Sequence, residues 1–229
     1  IKTPLTSIIN YVDLLQKAQS QEEAEAYLEV LSRAIDGEEH SVVVRIDVSE
    51  QICLNEAGQD AVAAEAVAIA GLPTMKMGNV KQDVLNRRGD DLRIDWGYFF
   101  LASPKKENVT IGSGAYPPMK KRFLAEGATG VAGAQLENVN QNGAVLAFSE
   151  NLGTVTDEKS GYMMVAYDDL YSIRYFDENR MAYWKHNGRV TMLDALQKAA
   201  ADYETVAVRC RDFDARMMAD ATKAGGKKY

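Results

Sequence analysis

Two pairs of adjacent carboxylates, Asp90-Asp91 and Asp168-Asp169, are the residues whose type first suggests chemistry. Converging carboxylates can hold a calcium ion or divide acid and base work between them. Adjacent residues of a strand point to opposite faces, so neither pair converges unless a loop bends it. Asp90-Asp91 follows Arg87-Arg88-Gly89 and is expected to make turn hydrogen bonds and ion pairs. Arg93 and Asp95 alternate with the apolar residues around Trp96, so they share one strand face and can pair there, with Arg174 as a candidate neighbour. A polar outer face or an inter-domain contact suits this group better than catalysis. The aromatic series Tyr167, Tyr171, Tyr175, Phe176 and Trp184 offers planes on which a carbohydrate can stack. Core packing and a domain interface are the more frequent uses of such rings. Arg93, Asp95, Tyr171, Arg174 and Trp184 therefore form the candidate interface or ligand face. No residue is assigned a catalytic, cofactor-binding or metal-binding role.

Other motifs carry less. Gly112-Ser-Gly114 and Gly127-Ala-Thr-Gly-Val-Ala-Gly133 lack the spacing of a phosphate-binding loop and read as turns. Cys53 and Cys210 show no paired spacing for zinc or redox work and are expected to be buried thiols. His40 and His186 read as solvated surface residues, and Ser, Cys and His show no triad spacing, which only geometry can decide. Arg88-Gly89-Asp90 is too short a string to imply adhesion, and Asn108-Val-Thr110 is a glycosylation sequon only in a secreted eukaryotic setting.

The elements that must position these residues follow from hydrophobic period. Leu5, Ile8, Ile9, Val12 and Leu15 recur at three and four, one stripe of a helix from Pro4 to about Lys17. Ala24, Tyr27, Leu28, Leu31 and Ile35 predict a second helix, capped by Ser20 and stopped at Asp36-Gly37. From Ser41 the period changes to two, and strands are predicted at about 41–48, 92–102, 108–112, 144–149 and 162–176. In the best of these, Leu92, Ile94, Trp96, Tyr98 and Phe100 share one face. The Ala-rich stretch 61–70 reads as a short helix. A long helix is predicted from Val190 to about Met218, where Leu193, Leu196, Ala200, Tyr203, Ala207, Cys210, Phe213 and Met217 form one stripe.

The chain has 229 residues, 26 Lys+Arg and 33 Asp+Glu, a net charge of −7, and 46% hydrophobic residues. That acidity argues against duplex DNA and anionic membranes as partners, because both require a basic face. The lone basic cluster Lys120-Lys121-Arg122 does not change this. No apolar run approaches the roughly 18 residues of a membrane span. The opening Ile1-Lys2-Thr3-Pro4 reads as a cut within a longer sequence.

Two resemblances add to this reading. Ile-Lys-Thr-Pro-Leu-Thr-Ser at 1–7 resembles the H-box of bacterial sensor histidine kinases, just after its phosphoacceptor His and Glu. The likeness extends as a two-helix pattern to about residue 35 and implies dimerisation without phosphotransfer, because acceptor and carboxylate are both absent. From about His40 onward the chain resembles the bacterial glutaminase A-like proteins known mainly from Bacteroidetes. The carrying segments are Val48-Ser-Glu-Gln-Ile-Cys, Asn79-Val-Lys-Gln-Asp-Val-Leu, Gly89-Asp-Asp-Leu-Arg-Ile-Asp-Trp-Gly-Tyr, Tyr162-Met-Met-Val-Ala-Tyr-Asp-Asp-Leu-Tyr-Ser-Ile-Arg-Tyr-Phe and Asp220-Ala-Thr-Lys-Ala-Gly-Gly. That resemblance implies a β-sandwich ahead of a six-hairpin helical domain, the presumed seat of glutamine hydrolysis to glutamate and ammonia.

The combined expectation is a mainly β chain: a helical hairpin at 1–36, a partial antiparallel β-sandwich at 38–189, and a linker helix at 190–229. Joined near residues 36–40, the two resemblances suggest a chimera or fragment, whatever the origin of the junction. The expected role is that of a non-catalytic accessory domain, without a cofactor, packing against a helical catalytic domain. A kinase-related signalling fragment dimerising through residues 1–35 and a carbohydrate-binding sandwich are the alternatives. The glutaminase-like resemblance implies a periplasmic or secreted protein, and the kinase-like segment a cytoplasmic one.

Overall fold

A computed structural model describes residues 29–33, 39–56, 61–69, 71–89, 92–127, 143–156 and 158–226. Eleven strands and two α-helices are present among them. β2 (His40–Ser49), β7 (Ala144–Val155) and β6 (Val109–Ala115) form one antiparallel sheet in the order β2-β7-β6. β3 (Val62–Ile69), β4 (Leu72–Asn79), β5 (Tyr98–Ala102) and β9 (Met164–Asp168) form the second, in that order. Val44, Ile46, Leu146 and Phe148 of the first sheet share one buried cluster with Val62, Met77, Phe99 and Leu101 of the second. It is the largest buried cluster among the described residues.

Each sheet carries one helix on its other side. α1 (Tyr116–Glu126) covers the β2-β7-β6 sheet through Met119 and Phe123, which lie one helical turn apart and are both buried. Arg45 pins it: its Nη1 donates to the Met119 carbonyl at 2.7 Å, its guanidinium pairs with Asp47, and Phe123 lies 5.3 Å away. α2 (Met192–Gly225) starts on the other sheet, where Met192 and Leu196 pack with Ile69, Leu72, Phe100 and Ala102. Tyr203 stacks on Tyr162 with centroids 3.6 Å apart, and beyond it the helix leaves the sheet.

Four expectations are corrected. The Ala-rich stretch is strand β3, not a helix, because its whole length pairs with β4 and its ends alternate Val62 and Ala64 inward against Glu65 outward, bonded to Lys76. Alanine's helix preference is worth only tenths of a kcal/mol and yields to a waiting strand edge. The strand expected at 92–102 begins only at Tyr98: Gly97 has φ 83°, and the residues before it leave the sheet with Leu92 and Ile94 exposed. The stretch 162–176 divides between β8 (Glu158–Tyr162), β9 and β10 (Ile173–Tyr175), interrupted where Leu170 takes φ 58°. Of the second predicted helix, residues 29–33 are strand β1 (Glu29–Arg33), antiparallel to β8. Glu-Val-Leu-Ser-Arg is short enough to fit either period, and the β8 edge supplies the partners. The first predicted helix, 4–17, lies outside the described residues, as does the remainder of the hairpin up to residue 28.

Candidate functional site

The sequence-named residues gather where β5 and β9 meet. Tyr98 opposes Asp168 in that pairing, so Trp96-Gly97 and Asp168–Tyr171 lie at the same end of the sheet. Gly97 is a true requirement here, since any Cβ would collide with the Asp168 carbonyl. Gln82 closes on it from the other side, accepting from the Gly97 amide at 2.6 Å and donating to its carbonyl at 3.3 Å. The Tyr167 hydroxyl donates to the Trp96 carbonyl at 2.7 Å, and the Trp96 indole donates to the Tyr171 carbonyl at 3.2 Å. Burial, with negative charge nearby, raises the Tyr167 phenol pKa well above its ordinary value, so it stays a neutral donor.

From this frame a projecting segment is hung. β10 and β11 (Glu178–Arg180) form a hairpin, and the Lys185 side chain, 8% exposed, reaches back to Asp168 Oδ1 at 2.5 Å and to the Leu170 carbonyl at 3.3 Å. Asp168 Oδ1 also accepts from the Leu170 amide at 2.8 Å. Trp184 lies 5.6 Å from the Lys185 ammonium and packs against the Phe100–Met192 cluster, so the segment is fastened to both the sheet and α2.

The five candidate residues therefore separate. Asp95 is buried and pairs with Arg87 at 2.8 Å rather than with Arg93, and its Oδ1 has no partner among the described residues. Arg93 is exposed and is fixed through its backbone amide to Asn55 Oδ1 at 2.9 Å. Arg174 is exposed on the hairpin and bonds Asn179 at 3.1 Å. Tyr171 and Trp184 are half-buried. Asp168 is half-buried, committed to Lys185, while Asp90 and Asp91 lie outside the described residues. No group of three metal-ligating side chains is present among the described residues.

Sequence reasoning missed Lys185, Arg87 and Gln82, and also Tyr183, whose side chain is 91% exposed. For a buried lysine between Trp184 and His186 no sequence signal exists. The cysteines also differ from expectation: Cys53 is buried, with its thiol pushed up to about 12 by desolvation, whereas Cys210 is exposed on the part of α2 that has left the sheet. Among the described residues, these contacts hold the aromatic segment from Tyr171 to Trp184 at the surface.

Residues 16–220 match the family described as a domain of unknown function, DUF5127. The chain belongs to that family. It is also 23% identical over 212 residues to glutaminase A from Aspergillus oryzae (strain ATCC 42149 / RIB 40). The match takes in 89% of this chain and 30% of that protein, so the chain spans under a third of its relative's length. The DUF5127 match includes residues 16–40, so the second half of the kinase-like segment and the suggested join near 36–40 both fall within the same family domain as the β region. No helix among the described residues is long and apolar enough to cross a membrane.

Proposed function

We propose that this chain is the non-catalytic docking domain of a glutaminase A-type hydrolase, and that the surface it offers holds the hydrolytic part of such a protein in place. The observation that carries this reading is α2. After Tyr203 it continues through Gly225 with nearly every residue exposed, a length of about 33 Å at 1.5 Å per residue. Val206, Cys210, Phe213 and Met217 still repeat at four, three and four along it. A helix in a globular protein draws most of its stability from packing such a stripe, and a bare stripe marks a missing partner. Between this helix and β8–β9 runs an apolar groove of about 1060 Å³, lined in part by Met163, Val165, Leu196, Phe213 and Met217. The glutaminase A relative supplies the candidate partner, since 30% of it corresponds to this chain and the rest does not.

The test is release of ammonia from glutamine. The 229-residue chain is expected to release none, and the intact gene product is expected to hydrolyse glutamine, with Phe213→Asp in that product lowering its turnover or solubility. Turnover by the 229-residue chain that survives purification and disappears on mutating one of its own residues overturns the proposal. So does an intact gene product indifferent to Phe213→Asp.

A further inference from the structure

β3 borders only β4 in its sheet, and among the described residues nothing bonds to its other edge. The register shows which backbone groups lie on that edge. Just before the strand, the Ala61 carbonyl accepts from the Val80 amide at 2.8 Å, so the odd-numbered residues of β3 bond to β4. Val62, Ala64, Ala66 and Ala68 therefore turn their amides and carbonyls outward. Pro73 agrees with this, since it stands opposite Ala68 and has no amide to give.

Natural edges are blunted by bulges, prolines or charges. β2, at the edge of the other sheet, is bulged between Val42 and Val43. β3 carries no such device. Its register with β4 is unbroken, it contains neither Pro nor Gly, and its one charge, Glu65, is drawn back onto Lys76 of β4 at 2.7 Å. Ala63, Ala66 and Ala68 are exposed beside it.

We propose that the β3 edge is a dimer interface, where β3 of a second copy pairs antiparallel and the two sheets become one continuous sheet. A two-fold axis through Ala66 sets outward-bonding residues against outward-bonding residues and like faces against like faces, with Ala66 opposite Ala66 and Ala64 opposite Ala68. On the other face Glu65 stands opposite Val67 and Ala63 opposite Ile69, so the two carboxylates do not oppose each other. The exposed side chains favour a copy over a different protein. Alanines give no anchor for a foreign pocket. Across a two-fold axis each contact occurs twice, with about six backbone hydrogen bonds in all, and the pairing closes with neither β3 edge left bare. No β3 residue lines the α2 groove, so the dimer stands or falls apart from the docking-domain reading.

Three measurements on the intact gene product test this. Light scattering is expected to give twice the mass of one polypeptide, and a monomer overturns the proposal. Ala66→Pro removes only an outward amide, which an edge strand tolerates. It is expected to halve that mass with the far-UV circular dichroism unchanged, and a folded variant that remains dimeric overturns the proposal. Ala66→Cys decides the matter even if the proline variant fails to fold. Opposed residues that exchange hydrogen bonds have Cα atoms about 5.5 Å apart, within disulfide reach. In a Cys210→Ser background, mild oxidation is expected to link two copies through position 66. Absence of that link, or a link formed by Glu65→Cys in its place, overturns the proposal.

Discussion

α2 is one continuous helix in two different environments, and the contrast between them is informative. Its first three turns are capped and covered. The Thr191 hydroxyl accepts from the Asp194 amide while the Asp194 carboxylate accepts from the Thr191 amide, and Met192 and Leu196 sit in a core with Phe100. From Glu204 onward the same three-and-four period continues with little beneath it, although Val206, Phe213, Met217 and Met218 are each about half exposed. Period reports which face of a helix is meant to be covered. It does not report whether the cover lies in the same stretch of chain.

The largest effects should fall at the held end. Replacing Lys185 by Met leaves the Asp168 carboxylate, 13% exposed, without its cation, and removing one partner of a buried pair costs about 3–5 kcal/mol. The Val190 amide donates to the Lys185 backbone carbonyl, a bond the substitution keeps, so the loss reports on the side-chain pair alone. Urea unfolding should show the midpoint falling sharply, and an unchanged midpoint would break the account of how the hairpin and α2 are fastened. Leu196→Ala, at a side chain 3% exposed, should cost about 2–5 kcal/mol in the same assay.

The comparison also explains what the sequence made legible. The α2 stripe from Leu193 to Met217 could be read from spacing alone, as could β2 from Val44-Arg-Ile-Asp-Val. α1 was readable but missed: Pro117-Pro118 at its start, Gly127 at its end and Met119–Phe123 within are start, stop and period signals together. β3 was misread because alanine fits a helix in isolation and a strand beside β4, so tertiary pairing decided. The aromatic face was legible only as a list. Which rings project depends on the left-handed turns at Leu170, Phe176 and His186, and the first of those is held by a contact from Lys185, fifteen residues on, rather than by local residue preference. Arg93 and Asp95 illustrate the limit: alternation places them on one face, but the chain leaves the sheet before Tyr98, and Asp95 turns inward to Arg87.

The two cysteines report on the contrast directly. Burial pushes the Cys53 thiol from 9.0 up to about 12, which lowers its thiolate fraction at pH 8 about a thousandfold. One thiol, Cys210, should therefore alkylate rapidly in the folded chain and Cys53 only on unfolding. In the intact gene product Cys210 should become slow as well if α2 is covered there. The sign of the pH dependence follows from the neutral thiol being favoured by folding. Cys53's contribution is fully present below pH 9 and is lost as pH rises toward 12, and the raised Tyr167 phenol acts in the same direction. A urea midpoint that holds steady from pH 8 to 11 would contradict the burial of both groups.

At the cap, Thr191→Ala should cost about 0.5–2 kcal/mol by removing the acceptor for the Asp194 amide, measured as a lower Tm. The smallest expected effect on the 229-residue chain lies at the bare end. Phe213→Gln together with Met217→Gln removes two exposed apolar side chains and substitutes a residue that helices accept well, so stability should change by no more than about 0.5 kcal/mol. That near-silence is what gives the pair its discriminating power. In the intact gene product the same two changes should lower the unfolding midpoint or separate one transition into two, because the stripe would there be buried in an interface whose loss is felt by both sides. If instead the double change destabilises the 229-residue chain as strongly as Leu196→Ala does, the stripe is covered within this domain, and the far end of α2 is held by the same kind of packing as its start.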